Sequence, residues 1–430
     1  MAHRYLSVFQ WFIFLLINSI PLPIVIGDIF QLSPEEVSSL MQRIFFVVGI
    51  SSFLQGWLGH RLPIIEGPAG LWVSVFIILA EVAAQQGEGT KETLQILEGG
   101  LIIAAILLFI LGLTRNVHRI LTLFTPLVTG SFLFILALQL GGVFLEGMMG
   151  LQGDPLRPDY SVTILSIAVF FLIIIVSNKG KGWVKNYAVL IGIISGWSVY
   201  ALLGKTSASS LSTDSLIQLP EVFAWGPPQF NIGMTITAVL LTFILISNMI
   251  AAIVAVKEVV PESQVKEEQV FNRSSWAGGI SHFLSSLFST IGVVPLSVSA
   301  GFIRLTKQTG IRPFLVASLM LTGLSVIPEF VHFLALLPQP IASAALLASF
   351  VQMIGIAFQS ILKEELDQRR LTILGITLLI GIGVMFLPSS VFQGLPSILR
   401  YVLSNGLIVG VIIVILMEQL WKAKDRKEGL

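Results

Sequence analysis

The chain contains no cysteine. Disulfides, thiol catalysis and cysteine-bound metals are therefore excluded. Charge is scarce as well: Asp, Glu, Lys and Arg make up 11% of the 430 residues, against roughly 25% in a soluble protein. The 25 basic and 24 acidic residues nearly cancel to a net +1, so no nucleic-acid surface is implied. No His, Asp and Glu set has metal-ligand spacing, and the glycine-rich pieces lack a P-loop pattern. No nucleophile–base set appears either. The sequence thus calls for no cofactor, no metal and no enzymatic reaction.

What fills the chain is apolar: 55% of residues are hydrophobic and the mean hydropathy is +0.90. The apolar runs are long, which predicts helices crossing a lipid bilayer rather than the short alternating strands of a barrel. The first run follows Met-Ala-His-Arg-Tyr directly and ends without a small-residue cleavage site, so it reads as a retained helix. Fourteen spans are predicted, at about 7–27, 43–58, 64–83, 96–113, 119–145, 161–177, 186–203, 232–256, 275–290, 295–306, 313–327, 331–361, 370–387 and 397–420. With the N-terminus inside and the spans alternating, 20 Lys and Arg fall inside and 5 outside. That bias follows the positive-inside rule and places both termini in the cytoplasm of a plasma or inner membrane.

One stretch breaks the helical pattern. Leu62 to Ser74 reads Leu-Pro-Ile-Ile-Glu-Gly-Pro-Ala-Gly-Leu-Trp-Val-Ser. Pro63 and Pro68 remove backbone donors, and Gly67 and Gly70 give no helix support. It also carries Glu66, a charge that costs at least about 2.5 kcal/mol at mid-bilayer. Broken backbone inside a bilayer is tolerated where it is enclosed by protein or lines a cavity, and in carriers it marks the substrate site. A second break follows downstream, from Val294 and Pro295 to Gly301 and Phe302. Aligned on proline, Ala69-Gly70-Leu71 answers Ala300-Gly301-Phe302.

The Ser- and Thr-rich loop near mid-chain separates two sets of seven spans. Seven is odd, so the second set runs inverted. The expected organisation is a first repeat at 1–204, an extracellular linker at 205–230, a second repeat at 231–421 and a cytoplasmic tail at 422–430. Phe124-Thr-Pro126-Leu-Val-Thr-Gly130-Ser opens span five, and Leu337-Pro-Gln-Pro340-Ile-Ala-Ser-Ala opens span twelve, fifth in its own set.

These last two stretches resemble the P-P-V-V-T-G and I-P-x-P-V-x-G-G motifs of the nucleobase–ascorbate transporters, the xanthine/uracil permease family. Val8-Phe9-Gln10-Trp11 is similar to that family's S-L-Q-H, and Phe271 to Thr290 resembles the segment before its signature. The resemblance spans essentially the whole chain in order. It implies a core domain from spans 1–4 and 8–11, a gate domain from spans 5–7 and 12–14, and short strands leading into half-helices in spans three and ten. It also suggests a homodimer. The family's usual acids are replaced: Asn248 stands at the span-eight carboxylate, the later histidine falls near Ala252, and the Glu-Asn pair of span ten falls on about Val298-Ser299. Trp11 takes the place of the first-helix histidine.

The candidate substrate-binding residues are accordingly Glu66, Asn248, Gln10, Gly70, Trp72, Ser297, Ser299 and Gly301. Glu66 would replace the missing acid, accept from a base's ring N–H groups and carry the coupling proton; the bland alternative is an ion pair with Arg61. The Asn248 amide offers a donor and an acceptor to a base edge, or else bonds a neighbouring helix. Gln10 has the same choice. Ser297 and Ser299 could donate to a carbonyl or simply permit close packing. Trp72 and Phe302 could stack on a planar ring or pack. His282, Glu81, Glu98, Glu146 and Glu258 read as interfacial. The expectation is an all-α, multi-pass secondary carrier in the lipid bilayer, taking a purine or other nucleobase with a proton or sodium ion. An anion carrier of the same architecture, or a sensor that binds a base without moving it, are the alternatives.

Overall fold

The computed structural model describes residues 2–86, 89–121, 125–151, 157–205, 216–260, 267–392 and 394–421. The tail expected at 422–430 and part of the mid-chain loop lie outside the described residues. Helices α1 (Ala2–Ser19) and α2 (Pro21–Ile29) form one crossing interrupted at Ile20, where Pro21 and Pro23 withdraw backbone donors. There follow α3 (Pro34–Trp57), strand β1 (Glu66–Pro68), α4 (Gly70–Gln86), α5 (Thr90–Leu113), α6 (Val117–Leu121), α7 (Pro126–Met148), α8 (Tyr160–Lys179), α9 (Trp183–Asn186) and α10 (Ala188–Leu202). The second half holds α11 (Ile232–Lys257), α12 (Glu267–Leu287), strand β2 (Val293–Pro295), α13 (Val298–Thr306), α14 (Ile311–Ser325), α15 (Pro328–Ala335), α16 (Gln339–Ile361), α17 (Gln368–Met385), α18 (Ser397–Leu403) and α19 (Gly406–Leu420).

Among the described residues, eight helices are long and apolar enough to cross a bilayer, or nine if α14 and α15, bent by 90°, count as one. Helix α12 is excluded by its polarity, not its length. It carries Asn272, Ser274, Ser275, Ser281, His282, Ser285 and Ser286, all buried. A helix with that many polar groups belongs inside a bundle, where other helices rather than lipid meet them.

Several boundaries differ from the expected ones. The second span begins at Pro34 rather than 43, because Ser33 and Glu36 form a capping box: Glu36 N donates to Ser33 Oγ at 3.3 Å and Ser33 N to Glu36 Oε2 at 2.8 Å. Arg43, one of the five basic residues counted outside, is instead a buried residue of α3 donating to Ser39 O, Phe288 O and Ser289 O at 3.1, 3.3 and 2.8 Å. The stretch expected as one span at 331–361 is two helices, since Pro338 and Pro340 restart the chain as α16. The last span is likewise divided, with Asn405 capping α19 through Leu407 N and Ile408 N at 3.0 and 3.2 Å.

The helices pack in two groups. In the first, α3 lies on α14 and α5 lies on α12, while α1 joins α14 and α11 joins α5. Glycine sets the separation. A Cβ on Gly112 of α5 would stand 2.3 Å from Trp276 N of α12, and one on Gly49 of α3 would stand 2.3 Å from Thr322 Oγ1 of α14. In the second group α7 lies along α16, with α8, α10, α17 and α19 around them. Thr125 caps α7 and Pro126 occupies its first turn, so the proline motifs at the starts of α7 and α16 act first as helix starts.

The described part of the expected linker, 216–230, is a strap across one end of the first group. Gln42 Nε2 donates to Gln218 O at 2.7 Å, Gln218 N to Val326 O at 3.0 Å, and Phe223 N to Leu287 O at 2.8 Å. Trp225 is buried beneath the Arg43 guanidinium, 5.5 Å from the ring centroid. Glu98, read as interfacial, is buried under this strap and accepts from the Ser289 hydroxyl. Its burial follows from the strap, which local sequence does not reveal.

Candidate transport site

The two broken segments meet. Strands β1 and β2 pair antiparallel, Glu66 opposite Pro295, Gly67 opposite Val294 and Pro68 opposite Val293. Each strand ends in a proline at a position whose nitrogen faces away from the partner strand, so the flanking bonds from Ala69 N to Gly292 O at 2.8 Å and from Leu296 N to Ile65 O at 2.9 Å are kept, and each leads into a helix, α4 or α13. The Ser297 side chain does not cap α13, where Ser299 N and Ala300 N instead donate to Leu296 O and Ser297 O at 3.1 and 3.0 Å. Backbone N–H groups at helix starts are natural partners for acceptor atoms. Helix α1 packs on β1 and α11 packs on β2 and α13, so Gln10 and Asn248 ride on the helices that flank the pair.

The pairing corrects the alignment drawn from sequence. Pro68, not Pro63, is the counterpart of Pro295, because both close their strands. Gly70 is therefore the first residue of α4, whereas Gly301 is the fourth residue of α13. The shared Ala-Gly pair is out of structural register by about one helical turn.

The candidate residues sort by burial and bonding. Asn248 is half-buried in α11 and no hydrogen bond occupies its amide among the described residues; Ser247 beside it is within 3.3 Å of Thr129 Oγ1 on α7. Gln10 is half-buried with Oε1 lacking a partner. Ser297 is half-buried without a cap bond. Gly301 is exposed, with open space where a Cβ would lie. Gly70 faces the second helical group: its Cβ would be 3.4 Å from Leu140 of α7 and 3.5 Å from Phe350 of α16. Of these, Asn248, Gln10, Ser297 and Gly301 retain free valence or free space, and Gly70 is in contact with the second group.

The others are already engaged. Ser299 is fully buried and its Oγ accepts from Ile65 N at 3.1 Å, pinning α13 to the approach of β1. Trp72 is fully buried against Gly292 and its indole donates to His282 Nε2 at 3.0 Å. The packing alternative is the one this geometry carries for Trp72, and His282 is buried rather than interfacial. Phe302 is stacked on Phe14 at 4.1 Å and tilted on Trp11 at 4.6 Å. Trp11 itself is fully buried among these rings. Glu146 and Glu258 are exposed as expected; the Glu81 side chain lies outside the described ones.

Glu66 is fully buried. Its backbone N–H donates to Ser52 Oγ at 3.0 Å, but neither carboxyl oxygen has a hydrogen-bond partner. The pairing with Arg61 is not formed: Arg61 is exposed. The neighbour is His60, whose Nε2 stands 3.6 Å from Glu66 Oε1 with both side chains wholly buried. The sequence alone assigns His60 no role. The missed signal is the chain reversal between them, with Arg61 at φ 59°, a conformation that no local residue type announces.

Several helices long and apolar enough to cross a bilayer, with two helix starts set side by side by a two-stranded ladder, fit a membrane transporter. The chain belongs to the permease family whose model (Xan_ur_permease) matches residues 4–390. It is 35% identical to "Putative purine permease YwdJ" of Bacillus subtilis (strain 168), over 97% of this chain and 96% of that protein. It is 24% identical to "Uric acid permease PucJ" of the same organism, over 96% of this chain and 91% of that protein. Among solved structures it is similar to the transmembrane domain of the cyanobacterial bicarbonate transporter BicA, with a TM-score of 0.66 and 14% identity over 96% of this chain and 98% of that one. That likeness is one of fold. The family is one of permeases, so the reading as a carrier rather than an enzyme stands.

Proposed function

We propose that this permease is a secondary carrier for a nucleobase, a purine, moved by alternating access together with a proton. The observation that carries the reading is the antiparallel pairing of β1 with β2, which sets the starts of α4 and α13 beside one another between α1 and α11. A purine presents ring acceptors to N–H groups at a helix start and mixed donor–acceptor edges to amides. Asn248 and Gln10 supply the amides, Ser297 a hydroxyl, and Gly301 the room for a flat ring. The named activities of YwdJ and PucJ support a purine cargo.

In this reading the fourteen crossings form two inverted repeats of seven. The swapped neighbour pairs support it: α3 on α14 mirrors α12 on α5, and α1 on α14 mirrors α11 on α5. The first group of helices is the core that carries the substrate, and the α7/α16 group is the gate. Gly70 lies on the sliding surface between them. Glu66 is the coupling acid, lodged in the core at the start of β1 and sealed from direct contact with the base in this conformation. Both termini face the cytoplasm of the plasma membrane, as the distribution of Lys and Arg supports.

The test is uptake of labelled hypoxanthine, xanthine, uric acid and uracil into cells lacking their own permeases, with and without a proton uncoupler. Uncoupler-sensitive uptake of a purine, weakened at least tenfold by Asn248→Ala, is expected. Properly inserted protein that moves none of these bases would refute the reading.

A further inference from the structure

The turn from His60 to Leu62 holds an arrangement that the transport reading leaves unused. His60 Nδ1 accepts from Leu62 N at 3.0 Å. An imidazole nitrogen that accepts carries no proton, so in the neutral ring the proton is on Nε2. Nε2 is the atom that stands 3.6 Å from Glu66 Oε1, and it too has no hydrogen-bond partner. A donor and an acceptor thus face each other inside protein, unbonded, about 0.5 Å beyond hydrogen-bond reach. The geometry has been built at a cost. Arg61 between them adopts φ 59°, a conformation disfavoured for a residue with a side chain. Arg61 N donates to Gln55 O at 3.2 Å, which holds that reversal against α3.

The surroundings isolate the pair. Helix α3 presents Ser52, engaged by Glu66 N, and Gln55, engaged by Ser274 of α12. Strand β2 offers Val293, Val294 and Pro295, with no titratable group. The charged group facing His60 is Arg273 of α12, and Arg61 faces Arg273 in turn. No charged residue of α1 with a described side chain reaches β1. Among the described residues nothing else bonds the Glu66 carboxyl.

We propose that His60 is the positioning partner of Glu66: its Nε2–H closes onto Oε1 and stabilises the carboxylate in the half of the cycle when the coupling proton has left. The proton goes from the Glu66 carboxyl to water on the releasing side. His60 keeps its own proton and turns a 3.6 Å approach into a hydrogen bond. When Glu66 is protonated again the contact loosens to the arrangement described here. A buried carboxylate without such a donor would be prohibitively costly to expose to the empty half-cycle. The inference rests on Glu66 as the coupling acid.

The experiment uses full-length protein in proteoliposomes with labelled hypoxanthine, xanthine and uric acid, and three readouts: accumulation under an imposed pH gradient, base-for-base exchange without one, and the pH profile of uptake. Glu66→Gln is expected to abolish accumulation and keep exchange. His60→Gln is expected to keep exchange, lower accumulation about tenfold, and move the pH profile of uptake by about one unit, the tenfold equivalent in proton concentration. A His60→Gln protein with wild-type accumulation and pH profile overturns the role of His60 alone. A Glu66→Gln protein that still accumulates base overturns the coupling reading beneath it. If a variant fails to insert, or no base is moved, infrared difference spectra of the wild-type protein decide. A pH jump from 5 to 8 must change a protonated-carboxyl band and an imidazole band together, and a carboxyl change without the imidazole change refutes the pair.

Discussion

Two serines, two residues apart, separate architecture from recognition. Ser299→Ala deletes the hydroxyl that accepts from Ile65 N at 3.1 Å. Both residues are fully buried, so water cannot replace the lost acceptor. An orphaned buried N–H costs about 1–3 kcal/mol, and the loss falls on the contact that ties α13 to the approach of β1. Ser297→Ala removes a half-buried hydroxyl with no cap bond, and its effect on stability is expected within about 0.5 kcal/mol. Denaturant unfolding in detergent, followed by tryptophan fluorescence, measures both. Uptake supplies the second axis: Ser297→Ala is expected to raise KM severalfold with wild-type stability, while Ser299→Ala lowers stability first. Equal stability of Ser299→Ala and wild type would refute the reasoning from the buried bond. So would a Ser297→Ala protein that is the less stable of the two.

Gly70→Ala is expected to transport nearly as wild type, because its Cβ would meet Leu140 and Phe350 at ordinary contact distances of 3.4 and 3.5 Å. Gly70→Leu should insert and bind yet lose uptake at least tenfold, since the longer side chain must invade the α7/α16 surface; unchanged uptake by Gly70→Leu would contradict a sliding contact there. Asp159, at the start of α8, is held well below the usual carboxylate range, first by the hydrogen bond from Lys205 at 2.6 Å and then by the Ser161 hydroxyl. A depressed carboxyl contributes stability that is complete above its unfolded value near 4 and is lost only as pH falls toward the folded value. The difference in thermal stability between wild type and Asp159→Asn should therefore stay flat from pH 5 to 8 and shrink only in stronger acid. A difference that varies across pH 5–8 would sink the assignment.

How much of this was legible in the sequence depends on the range of the forces involved. Hydropathy and proline placement act locally, so the helical membrane class and the two interrupted segments could be read directly. Pro68 and Pro295 rule out a continuous helix by lacking an N–H, whatever surrounds them. The Ser33–Glu36 capping box was also written in the sequence, and reading it would have started α3 at Pro34. Motif order along the chain was enough to identify the permease family.

Tertiary structure alone decided which polar groups are engaged. Trp72 and His282 are 210 residues apart in sequence and share a hydrogen bond; Ser299 and Ile65 are 234 apart and share another. The strap that buries Glu98 is a mid-chain loop whose composition reads as open linker. His60 and Glu66 are six positions apart, yet their meeting depends on a left-handed Arg61 that is held by Gln55 on a different element. Local sequence fixes where backbone hydrogen bonding must fail. Which side chain then fills, braces or faces that gap is set by distant segments brought to the same place, because hydrogen bonds and steric contacts act only over a few ångströms.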